Sequence, residues 1–234
     1  MLLAVASFAA AAPRTFVYTN KSDAYYTGLT TAPNASEYHG WNVAGRKVLE
    51  DFRIEVDGAP LARETATIVD VEPWSITRRY PGGITEEVTL VDGVDALVVT
   101  LAAPSPHVYA FTAVVPKSVL GPDLSRSLEP SRIVARPYKK GAGSQPDLRS
   151  IVVSGAATGG VMTREAAPVA DGNAAGAVVT RPVRTATFFV CAAETSDAND
   201  KLAASVARDW AKLVAARRAR IEALLADCPL QTSN

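Results

Sequence analysis

Apolar and polar residues alternate in short bursts along most of this chain, and the period changes near its end. Phe52-Arg53-Ile54-Glu55-Val56 alternates strictly, as a strand does when one face meets a core and the other meets water. Runs over 74–80, 84–91 and 96–101 follow at hairpin spacing. Asp92-Gly93, between the last two, predicts a short hairpin turn, because Gly accepts the positive φ such turns need. Runs over 107–115, 151–154, 176–180 and 185–192 add further strands, and Asp57-Gly58, Pro81-Gly82-Gly83 and Asp171-Gly172 supply turns. About a dozen strands without helical interludes predict a mainly β fold, an antiparallel sandwich.

After residue 193 the period becomes helical. From Ser196 to Ala226, Leu202, Val206, Trp210, Leu213, Val214, Ile221, Leu224 and Leu225 step mostly by three and four, forming one apolar stripe. Ser196 or Asp197 is expected to cap the first turn. Arg217 falls within the stripe. Its expected place is stem along the apolar face and guanidinium in water, the alternative being an ion pair with a carboxylate on the packing partner. Arg208, Lys212 and Glu222 lie opposite, and this mixture of signs disfavours a membrane-surface helix. A β-domain followed by such a strut, ending at Leu230-Gln231-Thr232-Ser233-Asn234, is expected to be the front part of something larger.

The segment from Pro116 to Pro146, rich in Pro, Ser, Gly and basic residues, reads as a surface excursion with one short strand near Ile133-Val134-Ala135. Its Lys139-Lys140-Gly141-Ala142-Gly143-Ser144 run lacks the spacing of a phosphate-binding loop. Met1 to Pro13 is apolar and ends in small residues, resembling a secretory leader without its basic start. The expected organisation is a leader remnant over 1–12, a sandwich over 13–193 and an amphipathic linker helix over 194–234, in a periplasmic or secreted protein.

With 48% of its residues apolar and 21% charged, the chain has enough apolar mass for a sizeable core. Basic and acidic residues balance at 24 each, against the basic surplus of a nucleic-acid binder, and no apolar run is long enough to span a bilayer. Two Cys and two His make a zinc site improbable, and no cofactor is expected. Cys191 and Cys228 leave one disulfide or two free thiols equally open.

There is no Gly-x-Ser-x-Gly elbow, no His-Glu-x-x-His and no dinucleotide fingerprint. Glu86 and Glu87 point to opposite faces of a strand, so they cannot flank one glycosidic bond together. The segments 23–29 and 34–42 set aromatic rings beside Asn, Asp and His, the usual means of stacking on and hydrogen-bonding to sugars. The candidate substrate-binding residues are Tyr25, Tyr26, Tyr38, His39 and Trp41. The competing expectation makes Tyr38 and Trp41 core aromatics and gives His39 a backbone partner.

Tyr25-Tyr26-Thr27-Gly28, Glu37-Tyr38-His39-Gly40-Trp41, Arg46-Lys47-Val48-Leu49-Glu50 and Tyr80-Pro81-Gly82-Gly83-Ile84-Thr85-Glu86-Glu87-Val88, in this order, resemble the N-terminal domain of bacterial glycogen debranching enzymes of the amylo-alpha-1,6-glucosidase type. The likeness covers roughly residues 15–115, and the terminal helix resembles that family's linker. The resemblance implies a galactose-mutarotase-like supersandwich before an (α/α)6 barrel that carries the catalytic carboxylates and has no counterpart here. The implied function is a non-catalytic domain of a glycoside hydrolase acting on α-glucan-like oligosaccharide, with that barrel as its partner. Two rivals stay open: a stand-alone carbohydrate-binding sandwich, and a mutarotase-like enzyme using His39 and His107 as acid and base.

Overall fold

The computed structural model describes residues 12–116, 124–137, 150–166 and 173–228. Among them the alternating pattern becomes seventeen strands in three antiparallel sheets. The chain begins with β1 (Thr15–Thr19), β2 (Ala24–Leu29), β3 (Gly40–Val43) and β4 (Arg46–Leu49), paired in that order as a small sheet. Next come β5 (Asp51–Val56) and β6 (Ala59–Pro60), then β7 (Ile68–Val71), β8 (Ile76–Arg79), β9 (Thr85–Leu90) and β10 (Ala96–His107). They are followed by β11 (Tyr109–Val115), β12 (Leu124–Glu129), β13 (Arg132–Pro137) and β14 (Ser150–Ala157). The last strands are β15 (Val161–Arg164), β16 (Asn173–Thr180) and β17 (Val183–Ala193). The large sheet has the order β12-β13-β14-β17-β10-β9-β8-β7, and the third sheet β15-β16-β11-β5-β6.

The expected mainly β sandwich with one C-terminal helix is the observed architecture. The Asp92-Gly93 hairpin joins β9 to β10 as its turn chemistry requires. Two regions hold more strand than their patterns suggested. Residues 15–49, read first for their aromatic chemistry, form four strands. The excursion after Pro116 contains the hairpin β12–β13 where one strand was expected, because pairing with β14 supplies what weak local propensity does not. The Lys139–Ser144 run, the Asp171-Gly172 turn, the residues 1–11 of the expected leader and the last residues 229–234 lie outside the described residues.

One face of the large sheet packs on the two smaller ones. Phe52 of β5, Phe111 of β11 and Phe188 of β17 stack through this core with successive centroids 5.2 Å apart. Gly155 on β14 lies under the Phe188 ring, where an added Cβ would sit 3.1 Å from it. The other face of the large sheet carries Val98, Val152, Phe189 and Cys191 and is covered by a helix. Strand β17 is therefore buried on both sides, Phe188 inward and Phe189 outward, which accounts for its unbroken apolar run.

The covering helix, α1 (Ser196–Asp227), is capped by Thr195, whose Oγ1 accepts the Ala198 N–H at 3.2 Å. The expected cap at Ser196 or Asp197 is corrected by one or two residues. Thr195 is the last residue with extended backbone, so its oxygen faces the orphan amides. Asn199, fully buried, donates from Nδ2 to the carbonyls of Ser150 at 2.5 Å and Cys191 at 3.3 Å, seating the first turn on β14 and β17. Ala203, Val206 and Trp210 follow, the indole 6.3 Å from the Phe189 ring.

Further along, the expected water-facing Arg217 is overturned. Its side chain is only 3% exposed and pairs through Nη1 with Asp92. The same Nη1 donates to the Thr19 carbonyl at 2.8 Å, and Nε donates to the Trp74 carbonyl at 3.2 Å. At this end of the sheets, carbonyls at strand and turn ends converge, and a planar guanidinium with five donors suits them where an apolar side chain would not. Burial lowers the Arg217 pKa and the Asp92 carboxylate opposes that shift. Asp92 also accepts from Arg220 at 2.6 Å, so the hairpin turn binds two helical arginines. Beyond this clamp the stripe loses its partner, with Leu224 and Leu225 55% and 45% exposed.

Both cysteines are free thiols, Cys191 buried with its pKa pushed up to about 12 by desolvation and Cys228 exposed. No helix among the described residues is long and apolar enough to cross a membrane. Asp92→Ala, which strands a buried guanidinium, should lower unfolding stability by about 3 kcal/mol in urea titration. Leu224→Ser with Leu225→Ser should stay within about 0.5 kcal/mol of the parent in this chain. The opposite ranking would show that α1 is anchored elsewhere.

Candidate functional site

The five sequence candidates do not share a surface. Tyr26 on β2 and Trp41 on β3 are cross-strand neighbours with no exposed area, packed in the core beside Phe16. Their rings offer no face to a solute in this arrangement. Tyr25 follows the strand alternation to the other side, where it pairs with Asn42 and is half-buried. Tyr38 stands 71% exposed on the connecting loop. His39 turns inward: its Nδ1 accepts the Ala35 N–H at 3.2 Å, and its own N–H donates to the Ser36 carbonyl at 3.0 Å. Gly40 completes the motif because φ is +112° there and an added Cβ would lie 2.3 Å from the Leu49 carbonyl oxygen. Tyr-His-Gly is thus the means of turning a loop tightly onto β3.

That loop nevertheless borders a groove of about 940 Å³. Its walls are Pro33 to Glu37 on one side and Pro60 to Glu64 on the other, and β5 runs along its floor. Asp51 organises the interior. Its Oδ1 accepts from Arg63 Nη2 at 2.7 Å and from the Phe52 N–H at 2.8 Å. Its Oδ2 accepts from Arg63 Nη1 at 3.1 Å and from the Asn34 N–H at 3.0 Å. Asn34 Nδ2 donates to the Glu50 carbonyl at 2.9 Å, tying the loop down a second time. The Arg63 guanidinium lies over the Phe52 ring, 4.6 Å from its centroid, and so covers that aromatic face.

Deeper, Glu86 reaches the groove from β9. It pairs with Arg78 at 2.7 Å and accepts from the Tyr80 hydroxyl at 2.5 Å. Burial, then the Glu86 charge and its hydrogen bond, push the Tyr80 pKa upward and keep it a donor. Arg78 also donates to the carbonyls of Thr30 at 2.7 Å and Leu29 at 3.0 Å. The carboxylates of Asp51 and Glu86 are therefore both locked by guanidinium partners. The outer ones are paired too, Glu50 with Lys47 at 2.9 Å and Glu55 with Arg164 at 2.6 Å. Among the described residues, Glu37, Arg53 and Glu64 line the groove, exposed and without an ion-pair partner. No group of three His, Cys, Asp or Glu among the described residues is placed to hold a metal ion.

A second polar cluster lies elsewhere. His107 Nδ1 bonds Asp57 Oδ2 at 2.7 Å, and His107 Nε2 meets Ser105 Oγ at 3.1 Å. The connectivity matches a Ser-His-Asp triad, but catalysis also needs oxyanion donors and a substrate cleft. Pro104 and Pro106 remove the amide donors flanking Ser105, and none of the three residues lines the groove. The cluster instead fastens the β5–β6 turn to the β10–β11 junction, Asp57 Oδ1 accepting the Val108 N–H at 2.8 Å.

No protein-family model matches the chain, and no curated protein sequence does. Solved structures to which the chain is similar include a heparinase III, 10% identical over 78% of this chain and 35% of that one, with a TM-score of 0.46. Another is a family GH92 alpha-mannosidase from Bacteroides thetaiotaomicron, 12% identical over 86% of this chain and 31% of that one, with a TM-score of 0.44. The chain thus spans about a third of the length of each.

The hydrogen bond from His107, then that from Val108, lowers the Asp57 pKa below its ordinary 3.8. A depressed carboxyl contributes stability that is present above the ordinary value and lost as pH falls through the lowered one. In an NMR titration Asp57 should therefore protonate below pH 3.8, and His107→Ala should move its midpoint back up. An Asp57 midpoint at the ordinary value in the parent would sink this account of the cluster.

Proposed function

We propose that this chain is a non-catalytic sandwich domain of an exported glycoside hydrolase acting on α-glucan-like oligosaccharide, and that it braces a helical catalytic domain. The observation that carries this reading is the terminal helix. It is fixed by Asn199 and by the Arg217–Asp92 clamp, and it then continues with Leu224 and Leu225 exposed. An amphipathic helix anchored for most of its length and bare at its end suits a connector whose last turns pack on a neighbouring unit.

The state of the two interior groove carboxylates, Asp51 and Glu86, argues against a catalytic role for them. Glycoside hydrolysis needs one carboxyl to deliver a proton and another to act as base or nucleophile. Asp51 accepts four hydrogen bonds, and Glu86 is held by Arg78 and Tyr80, so neither is free for proton transfer. The motif order over residues 15–115 supports the carbohydrate assignment, and the apolar start supports export. The groove favours a second reading, a stand-alone carbohydrate-binding module. The mutarotase-like alternative gains nothing, because His39 is bonded within its own loop while His107 is bonded to Asp57 and Ser105.

Sequencing the DNA immediately downstream of the Asn234 codon tests the bracing role. The expected result is an open frame encoding a few hundred helix-rich residues with acidic loop ends. An immediate stop codon would remove the connector role and leave the binding module.

A further inference from the structure

We infer that the groove between the 33–37 loop and the 60–64 segment is a binding subsite for a neutral oligosaccharide, held through hydroxyl groups by Glu37, Arg53 and Glu64. Its 940 Å³ lies at the upper end of the roughly 300–1,000 Å³ typical of small-molecule sites. The walls are pre-formed. Asn34 is bonded to Asp51 and to the Glu50 carbonyl, Ser36 Oγ accepts the Tyr38 N–H at 3.2 Å, and His39 holds Ala35. A ligand entering there orders three rim side chains and leaves the loop backbone as it is, which limits the entropy cost of binding.

The ligand class follows from charge. Asp51, Glu86, Glu50 and Glu55 each have a cationic partner within the chain. An incoming ion would have to compete with those pairs. The three unpaired groups are two carboxylates and one guanidinium, of mixed sign. A cation is drawn to Glu37 and Glu64 but repelled by Arg53, and an anion meets the reverse. A hydroxyl serves both, donating to carboxylate oxygens and accepting from guanidinium N–H groups. A molecule presenting many hydroxyls in fixed array is the match, and charge-assisted bonds of this kind are the stronger ones. Arg63 covers the Phe52 ring, so recognition here is by polar edges and not by stacking. This differs from the aromatic site that the sequence suggested and moves sugar contact from Tyr26 and Trp41 to the groove rim.

The inference rests on the carbohydrate reading above for its ligand class only. The bracing role stands or falls with the downstream reading frame and is untouched by failure of the groove. The test is calorimetric titration of the full chain with maltoheptaose, cellohexaose and mannohexaose as neutral probes and an oligogalacturonate as the anionic one. At least one neutral probe should bind, and Arg53→Ala should weaken it by about tenfold, the loss of one hydrogen bond to a charged group. Glu37→Ala with Glu64→Ala should weaken it comparably, and Arg218→Ala on the helix should leave it unchanged. All these residues are exposed, so unchanged thermal melting separates lost binding from lost folding. Absence of binding to every neutral probe, tighter binding of the uronate, or binding that survives the rim substitutions would each overturn the inference.

Discussion

The structure hangs on a guanidinium with no access to water. Arg78 lies between the large sheet and the small N-terminal one, and burying that charge is tolerable only because its donors are met. Glu86 on the neighbouring strand takes one, and the carbonyls of Leu29 and Thr30 at the end of β2 take two more. The bond network therefore dictates how the N-terminal sheet abuts the large one. A displacement of β2 leaves two buried guanidinium donors without acceptors, which costs more than a displaced apolar contact. Tyr80 closes the network on the Glu86 side, which fixes that carboxylate where it lines the groove. Apolar packing alone specifies the offset of the two sheets less sharply than directional bonds to named carbonyls.

Much of the fold was legible because period is a strong signal. The hairpin at Asp92-Gly93, the strand at 52–56 and the helix from Ser196 all follow from alternation or from three-and-four spacing. Charged residues in the inward phase carry a different signal. Arg78 sits in register with Ile76 and Tyr80, inward, and Glu86 sits in register with Val88 and Leu90. The two face each other directly across the β8–β9 pair. Opposite charges in matching inward phase on two strands of one hairpin are a sequence sign of a buried pair. Arg217 gives the same sign on a helix, where an arginine within the stripe met a carboxylate instead of water. The groove had no such sign. Asn34, Asp51 and Arg63 come together only through sheet topology, and no local spacing announces them.

The motifs that carried the family likeness prove to be backbone devices. Gly40 is required by the approach of the Leu49 carbonyl, and His39 ties off the loop before it. Tyr80 begins the Pro81–Gly83 turn, with Gly82 and Gly83 both at positive φ, and its hydroxyl serves Glu86. Such motifs specify how a loop turns, and they do so whatever lies in the neighbouring groove.

The Arg217 clamp has a mechanical consequence. The helix lies on the outer face of the large sheet, from β14 and β17 to the turns at Asp92 and Trp74, and its final ten residues run about 15 Å past Arg217. A load applied to that projection acts as a lever whose fulcrum is the clamp. Force along the helix axis is shared as shear among the apolar contacts, Asn199 and Arg217. Force perpendicular to it concentrates on Asp92 and would peel the helix away from its far end first. The domain is therefore stiff towards sliding and compliant towards lifting, so anything attached to the helix tip has one preferred direction of motion.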